Sequence, residues 1–265
     1  MRNRCALLAL LSVLAAVAVA REEPETAAGK KKVLVELYTS QGCNSCPPAS
    51  ELVGKLASLG YGPDRVVTIN FHVDYFNDPW KDPYSDPAFS RRQLEYNGVQ
   101  KRNDLYFTPL MMVDGTYPML GSDRPKALAA IKKALAEPPG VSLRLTSEGA
   151  GAARRFSVEL AAKGPTAVDR ALLVAVALVE DPIKTRVQSG ENAGKTLVEH
   201  AVVRTFQHQV TRLDAAHSKT LDFPLELAEK ADTSRCRVAA FVQDQASGKV
   251  YQADAMPWTP ARGSR

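Results

Sequence analysis

The stretch Val33-Leu34-Val35-Glu36-Leu37-Tyr38-Thr39-Ser40-Gln41-Gly42-Cys43-Asn44-Ser45-Cys46-Pro47-Pro48-Ala49 decides how the chain is read. Its first seven residues form a short, mostly apolar run, the pattern of a buried strand. From Ala49 to Leu59, Leu52, Val53, Leu56 and Leu59 fall at helical spacing. The first amides of a helix have no intrahelical acceptor, so prolines are tolerated there. Pro47 and Pro48 therefore mark the first turn, and Cys43 lies just ahead of it. A helix N-terminus offers free amides and a positive dipole end, which favour the reactive thiolate. In a C-x-x-C pair the first cysteine attacks and the second resolves the mixed disulfide. This assigns Cys43 as nucleophile and Cys46 as resolving thiol. A static disulfide and a metal site, copper included, are the alternatives. Zinc usually needs a second pair or histidines at set spacing, and the chain has no second C-x-x-C.

The rest of the chain bounds the setting of that pair. Its 265 residues are enough for two domains, and 45% hydrophobic content is enough for a substantial core. Arg2 and Arg4 precede an apolar segment, Ala6 to Val19, and Ala18-Val19-Ala20 fits a small-x-small cleavage site. Residues 1–20 thus read as a cleavable signal peptide, cut near Ala20, leading to the periplasm or the exterior. The apolar run is short for a membrane span, so no membrane association is expected after cleavage. Removing Arg2 and Arg4 lowers the formal charge from +5 to +3, too little to argue for nucleic acid. Lys30-Lys31-Lys32 reads as a solvated linker end. Export places the cysteines where disulfides form and exchange. Cys236, in a strand-like run, reads as a buried inert thiol.

After a polar linker, 21–31, the first half alternates. The strand and helix are followed by a breaker, Gly60-Tyr61-Gly62-Pro63, and a second strand from Val66 to Val73. Strand, helix, strand at this length implies parallel pairing. Asp74 to Pro87 holds Tyr75, Phe76, Trp80 and Tyr84 among prolines that forbid a continuous helix. Asp74, Asp78, Asp82 and Asp86 recur every four residues, but an EF-hand needs alternate ligands, a central glycine and a closing Glu. These aspartates read as turn and cap residues. A helix is expected over Pro87 to Tyr96. Tyr106 to Val113 reads as a strand opened by proline and closed by Asp114-Gly115, a strong hairpin signal, with Tyr117 to Leu120 as its partner. Ser122 or Asp123 caps a helix from Arg124 to Ala136, and Glu137-Pro138-Pro139-Gly140 ends it. Beyond Gly140 come several strand-like runs between turn signals, the pattern of an antiparallel sandwich.

Strand, C-x-x-C, helix, strand, then Thr108-Pro109 opening a hairpin and a final helix resemble the thioredoxin fold. The resemblance implies a cis Thr108–Pro109 bond packed against the disulfide, keeping the Thr108 backbone free to pair with a substrate chain. It is closer still to an uncharacterised family of secreted bacterial proteins with a thioredoxin-like domain followed by a β-rich domain. The shared motifs are Glu36 to Ala49, Phe71-His72-Val73-Asp74-Tyr75, Thr108-Pro109, Gly121-Ser122-Asp123-Arg124 and Gly190-Glu191-Asn192-Ala193-Gly194. The expected fold is thus an α/β thioredoxin-like domain with a central mixed sheet (32–138, insert 74–104). A mostly antiparallel β-sandwich-like domain (140–258) and a tail (259–265) follow. Asn44-Ser45 replaces the Gly-Pro of thioredoxin, so the direction of electron flow is not implied.

Chemistry in parallel α/β sheets gathers at the carboxyl ends of strands, which brings His72 and Asp74 toward Cys43. His72 then either stabilises the thiolate or moves a proton, or is a structural, hydrogen-bonded histidine. Glu36, within the strand run, needs a partner if buried. The resemblance implies a buried acid beneath the disulfide that assists the resolving thiol. Glu191, Asn192 and His200 read as a polar site or as a loop bonded to itself. Trp80 and its neighbouring tyrosines read as a peptide surface or as the insert's own core. Three functions compete. The first is an exported thiol–disulfide oxidoreductase acting on protein or peptide thiols. It uses Cys43 and Cys46, has Thr108-Pro109 to position substrate, and needs no cofactor beyond the disulfide. The second is a non-catalytic secreted binding module with a structural disulfide. The third is a Cu(I)-handling protein using both thiolates, with or without His72.

Overall fold

The computed structural model describes residues 30–227 and 231–258. The expected signal peptide (1–20), most of the expected linker (21–31) and the tail from Thr259 lie outside the described residues. Lys31, expected in a solvated linker end, is instead buried and paired with Asp114 at 3.0 Å. β1 (Val33–Thr39) and β2 (Val66–His72) pair in parallel, Val33 opposite Val66 and Thr39 opposite His72. Between them runs α1 (Pro47–Lys55), with prolines in its first turn, followed by a short 3-10 turn at Ala57–Leu59. The expected single helix to Leu59 is therefore two pieces. Its N-cap is Cys46, so Cys43 lies three residues ahead of the helix end.

α2 (Pro87–Val99) starts where the Asp86 carboxylate accepts the Ala88 amide, the cap role expected of that aspartate. β3 (Leu110–Val113) pairs antiparallel with β1 and with β4 (Tyr117–Leu120). The turn between them uses positive φ at Asp114 and Gly115, the dihedrals an Asp-Gly hairpin requires. α3 (Arg124–Leu135) is capped by Asp123, which accepts the Lys126 amide.

The second half is almost all strand. It comprises β5 (Val141–Glu148), β6 (Ala153–Ala162), β7 (Leu172–Glu180), β8 (Ile183–Arg186) and β9 (Thr196–Glu199). β10 (Val202–Thr211), β11 (Lys219–Glu226), β12 (Cys236–Asp244) and β13 (Val250–Pro257) complete it. An eight-stranded mixed sheet runs β13-β12-β7-β10-β2-β1-β3-β4, and a three-stranded sheet runs β11-β6-β5. β8 and β9 form a separate hairpin. Sequence alone shows only the loop chemistry of 190–197 there, because both strands of the hairpin are short.

The expected boundary at Glu137–Gly140 does not divide the sheet. β10 lies along β2, Val202 opposite Asn70, and the Asn70 amide donates to the Ala201 carbonyl at 2.7 Å. The reason lies in β7, whose sequence LLVAVALVE is buried throughout. A strand apolar at nearly every position needs cover on both faces. Val174, Val176 and Leu178 pack with Leu143, Phe156, Val158 and Phe223 of the three-stranded sheet. Leu173, Ala175, Ala177 and Val179 instead join the core shared with β1, β2 and α2.

A buried polar cluster marks this seam. Arg92 of α2 donates to Glu36 of β1 at 2.8 Å and to Gln243 of β12 at 3.1 Å. Its guanidinium also lies over the rings of Phe71, Tyr96, Phe206 and Phe241. Burial disfavours its charge, but Glu36 together with Tyr96 and Tyr38 outweighs this and raises the Arg92 pKa further.

Candidate functional site

Cys43 and Cys46 are joined in a disulfide. The turn that carries them is stitched by the Cys43 amide to the Ser40 carbonyl and the Cys46 amide to the Cys43 carbonyl. Because Cys46 is the N-cap, its sulfur and not that of Cys43 belongs to the residue at the helix end. Cys43 Sγ has a different neighbour, Ser45 Oγ at 3.3 Å. Asn44 and Ser45 are exposed, while each cysteine is only 2% exposed. Thr108–Pro109 is a cis peptide. A Cβ placed on Gly121 would meet Leu37, Ala49 and Pro109 at 2.8 to 3.1 Å. Pro109 is thus packed near Ala49, in the first turn of α1, and Thr108 precedes it at the entry to β3.

The same contact fixes what Glu36 does. Leu37 faces Ala49 of α1, and successive side chains on a strand point to opposite faces. Glu36 and Tyr38 therefore face α2. Glu36 accepts hydrogen bonds from Arg92, Tyr38 and Tyr96. The acid expected beneath the disulfide is instead a seam residue, held on the other side of the sheet. Asp74 is also engaged elsewhere, with Ser90 Oγ donating to its carboxylate.

His72 is wholly buried and reaches a set of partners that no motif groups together. Its Nδ1 lies 2.7 Å from Asp82 Oδ2, and its Nε2 lies 3.6 Å from Glu199 Oε1. Burial alone pulls an imidazolium pKa down. Here the Asp82 and Glu199 carboxylates outweigh it and push the value up to about 9. Burial raises the Glu199 pKa, with His72 opposing. Burial also acts to raise that of Asp82, but His72 and hydrogen bonds to its carboxylate hold it below its ordinary value.

Gln41 ties this set to the cysteine turn. Its amide N–H donates to Asp82 at 2.8 Å, its Nε2 donates to Glu199 at 2.5 Å, and its Oε1 accepts from Trp80 Nε1 at 3.1 Å. Trp80 is therefore part of the site's frame, while Tyr75 lies tilted against Tyr106, ring centroids 4.5 Å apart, with both exposed. His72 Nδ1 is thus taken by Asp82, while Nε2, at 3.6 Å from Glu199, makes no hydrogen bond. Glu199 and Cys46 line one small cavity of about 20 Å³ with Thr39, Ser40, Pro47 and Leu197 among others.

The loop between β8 and β9 closes over the turn. Asn192 Nδ2 donates to the carbonyls of Gln41 (2.9 Å) and Cys43 (3.0 Å), and the Asn44 amide donates to Glu191 (2.9 Å). Glu191 and Asn192 are thus bonded to the first half of the chain, neither to themselves alone nor to His200. His200 is held by Asp181 at 2.8 Å. No chemical role is assigned from sequence to four further residues of the site. Gln41 and Ser45 lie inside the opening stretch, beside the cysteines. Asp82 carries only the signal of a turn aspartate. Glu199 carries no local signal.

A sequence profile of the family described as protein of unknown function DUF1223 matches residues 34–243. No curated protein matches the chain. Among solved structures, protein AGR_C_4864 from Agrobacterium tumefaciens is similar at 23% identity and a TM-score of 0.65. The match covers 89% of this chain and 98% of that one. HBP35 of Porphyromonas gingivalis is similar at 14% identity and a TM-score of 0.67, covering 89% of this chain and 79% of that one. Both likenesses are of fold. No helix among the described residues is long and apolar enough to cross a membrane.

Proposed function

The chain belongs to the DUF1223 family, whose description assigns no activity, and from the site itself we propose an exported, thioredoxin-like thiol–disulfide oxidoreductase acting on protein or peptide thiols. The observation that carries this reading is the Cys43–Cys46 disulfide at the start of α1, with Pro109 packed near that helix's first turn. In the oxidising direction a substrate thiolate attacks Cys43 Sγ. The sulfur–sulfur bond breaks and its electron pair leaves on Cys46 Sγ, at the helix N-cap, where a departing thiolate is favoured. A second substrate thiolate then attacks the substrate sulfur of the mixed disulfide and releases Cys43 as thiolate. Two thiolates become one disulfide, and two electrons reside on the cysteine pair. The Ser45 hydroxyl supports a Cys43 thiolate by donating to it. Glu199, beside Cys46 and backed by His72, is the group placed to exchange the proton of the departing thiolate. Thr108 offers its backbone to the substrate chain.

Cys43→Ser is expected to abolish dithiothreitol-driven insulin reduction and thiol oxidation. Wild-type protein inert in both assays removes the reading. Near-complete burial of both cysteines favours a second reading, a binding module with a structural disulfide. A reduction potential below about −300 mV would establish that one instead.

A further inference from the structure

We propose that the β8–β9 loop is a redox-linked latch in which Asn192 and Glu191 are positioning residues that hold the cysteine turn in its disulfide-bonded shape and control access to it. The sulfurs lie beneath a turn whose own tip is exposed. Attack on a disulfide needs the incoming sulfur in line with the bond, so some covering element has to move. The segment around Asp82 and the β8–β9 loop both lie over the turn. The segment around Asp82 is anchored deeply, through Asp82 to His72 and to the Gln41 amide, Trp80 to the Gln41 side chain, and the Asp86 amide to the His72 carbonyl. Its Phe76 carbonyl presses on Gly42, where a Cβ would come within 2.5 Å.

The loop tip is held more lightly. Its bonds outward are the two from Asn192, the one to Glu191, and one from Ser189 Oγ to the Pro79 carbonyl at 3.0 Å. Gly190 and Gly194 carry positive φ on either side of the Glu191-Asn192-Ala193 tip, a conformation glycine adopts without penalty. Of the three backbone groups gripped, the Cys43 carbonyl and the Asn44 amide belong to the peptide unit inside the disulfide-bridged turn, and the third is the Gln41 carbonyl just before it. Asn192 itself is fully buried, and its Oδ1 accepts from Lys195 at 2.9 Å. Leaving its amide unpaired is therefore costly.

Reduction splits the sulfur–sulfur bond, adds two electrons and two protons, and frees the turn to relax. Bonds made best to the oxidised turn are then weakened, and linkage makes the coupling reciprocal. An undocked loop favours the dithiol. A docked loop favours the disulfide and shields it. The latch gives the oxidoreductase reading its gate and rests on that reading for its purpose, but not for its test.

The test uses the full mature chain and a phosphine reductant, which needs no catalytic activity. The phosphine takes the oxygen of one water to become its oxide, and the disulfide gains two electrons and two protons. Asn192→Ala and Glu191→Gln are each expected to speed reduction of Cys43–Cys46. The Asn192 variant should do so on the order of tenfold or more, from two lost hydrogen bonds. The glutathione equilibrium should shift toward the dithiol by a similar factor. In the wild type, hydrogen–deuterium exchange over residues 187–195 should rise on reduction. Unchanged exchange overturns the latch, whether or not a variant folds. So do variants reduced at the wild-type rate. A chain inert toward insulin but showing these shifts loses the oxidoreductase reading and keeps the latch.

Discussion

Replacing His72 with glutamine tests whether the buried cluster beside the disulfide stores protonation energy. In the folded chain the imidazole lies between Asp82 and Glu199, and its pKa is pushed from 6.5 up to about 9. The folded state therefore holds a proton that the unfolded state releases between these values. A group with a raised folded pKa contributes stability that is fully present below the unfolded value. That stability is lost as pH climbs through the folded one. A tenfold change in proton affinity corresponds to about 1.4 kcal/mol, so the contribution is on the order of 3 kcal/mol. Urea unfolding of the oxidised protein at intervals from pH 6 to pH 9.5 measures it. Wild-type stability should fall across that window by about 3 kcal/mol more than that of His72→Gln, whose amide can still donate to Asp82. Groups away from the cluster titrate alike in both proteins and cancel in the difference, whereas Asp82 and Glu199 are coupled to His72 and titrate as part of its contribution. Parallel curves for the two proteins would refute the reasoning.

Two further substitutions probe the frame that holds the site. Glu36→Leu leaves the Arg92 guanidinium buried without its carboxylate, and unfolding should become easier by about 3 to 5 kcal/mol. Adding Arg92→Met should restore much of that loss, and a double variant worse than the single would exclude a paired role. Gly115→Ala forces a side chain at φ +71 to within 1.8 Å of the Gly248 carbonyl, where the β3–β4 and β12–β13 turns meet. Left-handed strain plus the clash should cost about 3 kcal/mol in thermal or urea unfolding, and a neutral substitution would mean the two turns do not touch.

The cysteine turn, its place between a strand and a helix, and the Asp114-Gly115 hairpin were all legible in the sequence. Strand alternation, helical spacing and turn chemistry act over a few residues, so a reader of the chain sees them directly. The roles of Glu36 and His72 were only half legible. Both could be placed in strands, but the face and partner of each depend on what packs above. Arg92 claims one, while Asp82 and Glu199 claim the other. The continuity of the main sheet was not legible, because β7 reads the same whether one face or two are covered by its own half. Tertiary structure alone brought Asn192 across 149 positions to the Cys43 carbonyl, and Glu199 across 158 positions to Gln41. Such contacts follow from where β10 docks on β2, and no local periodicity carries that information. The cysteine pair was written in four adjacent residues, while its burial and its neighbours Glu199 and Asn192 exist only once the two halves of the chain share one sheet.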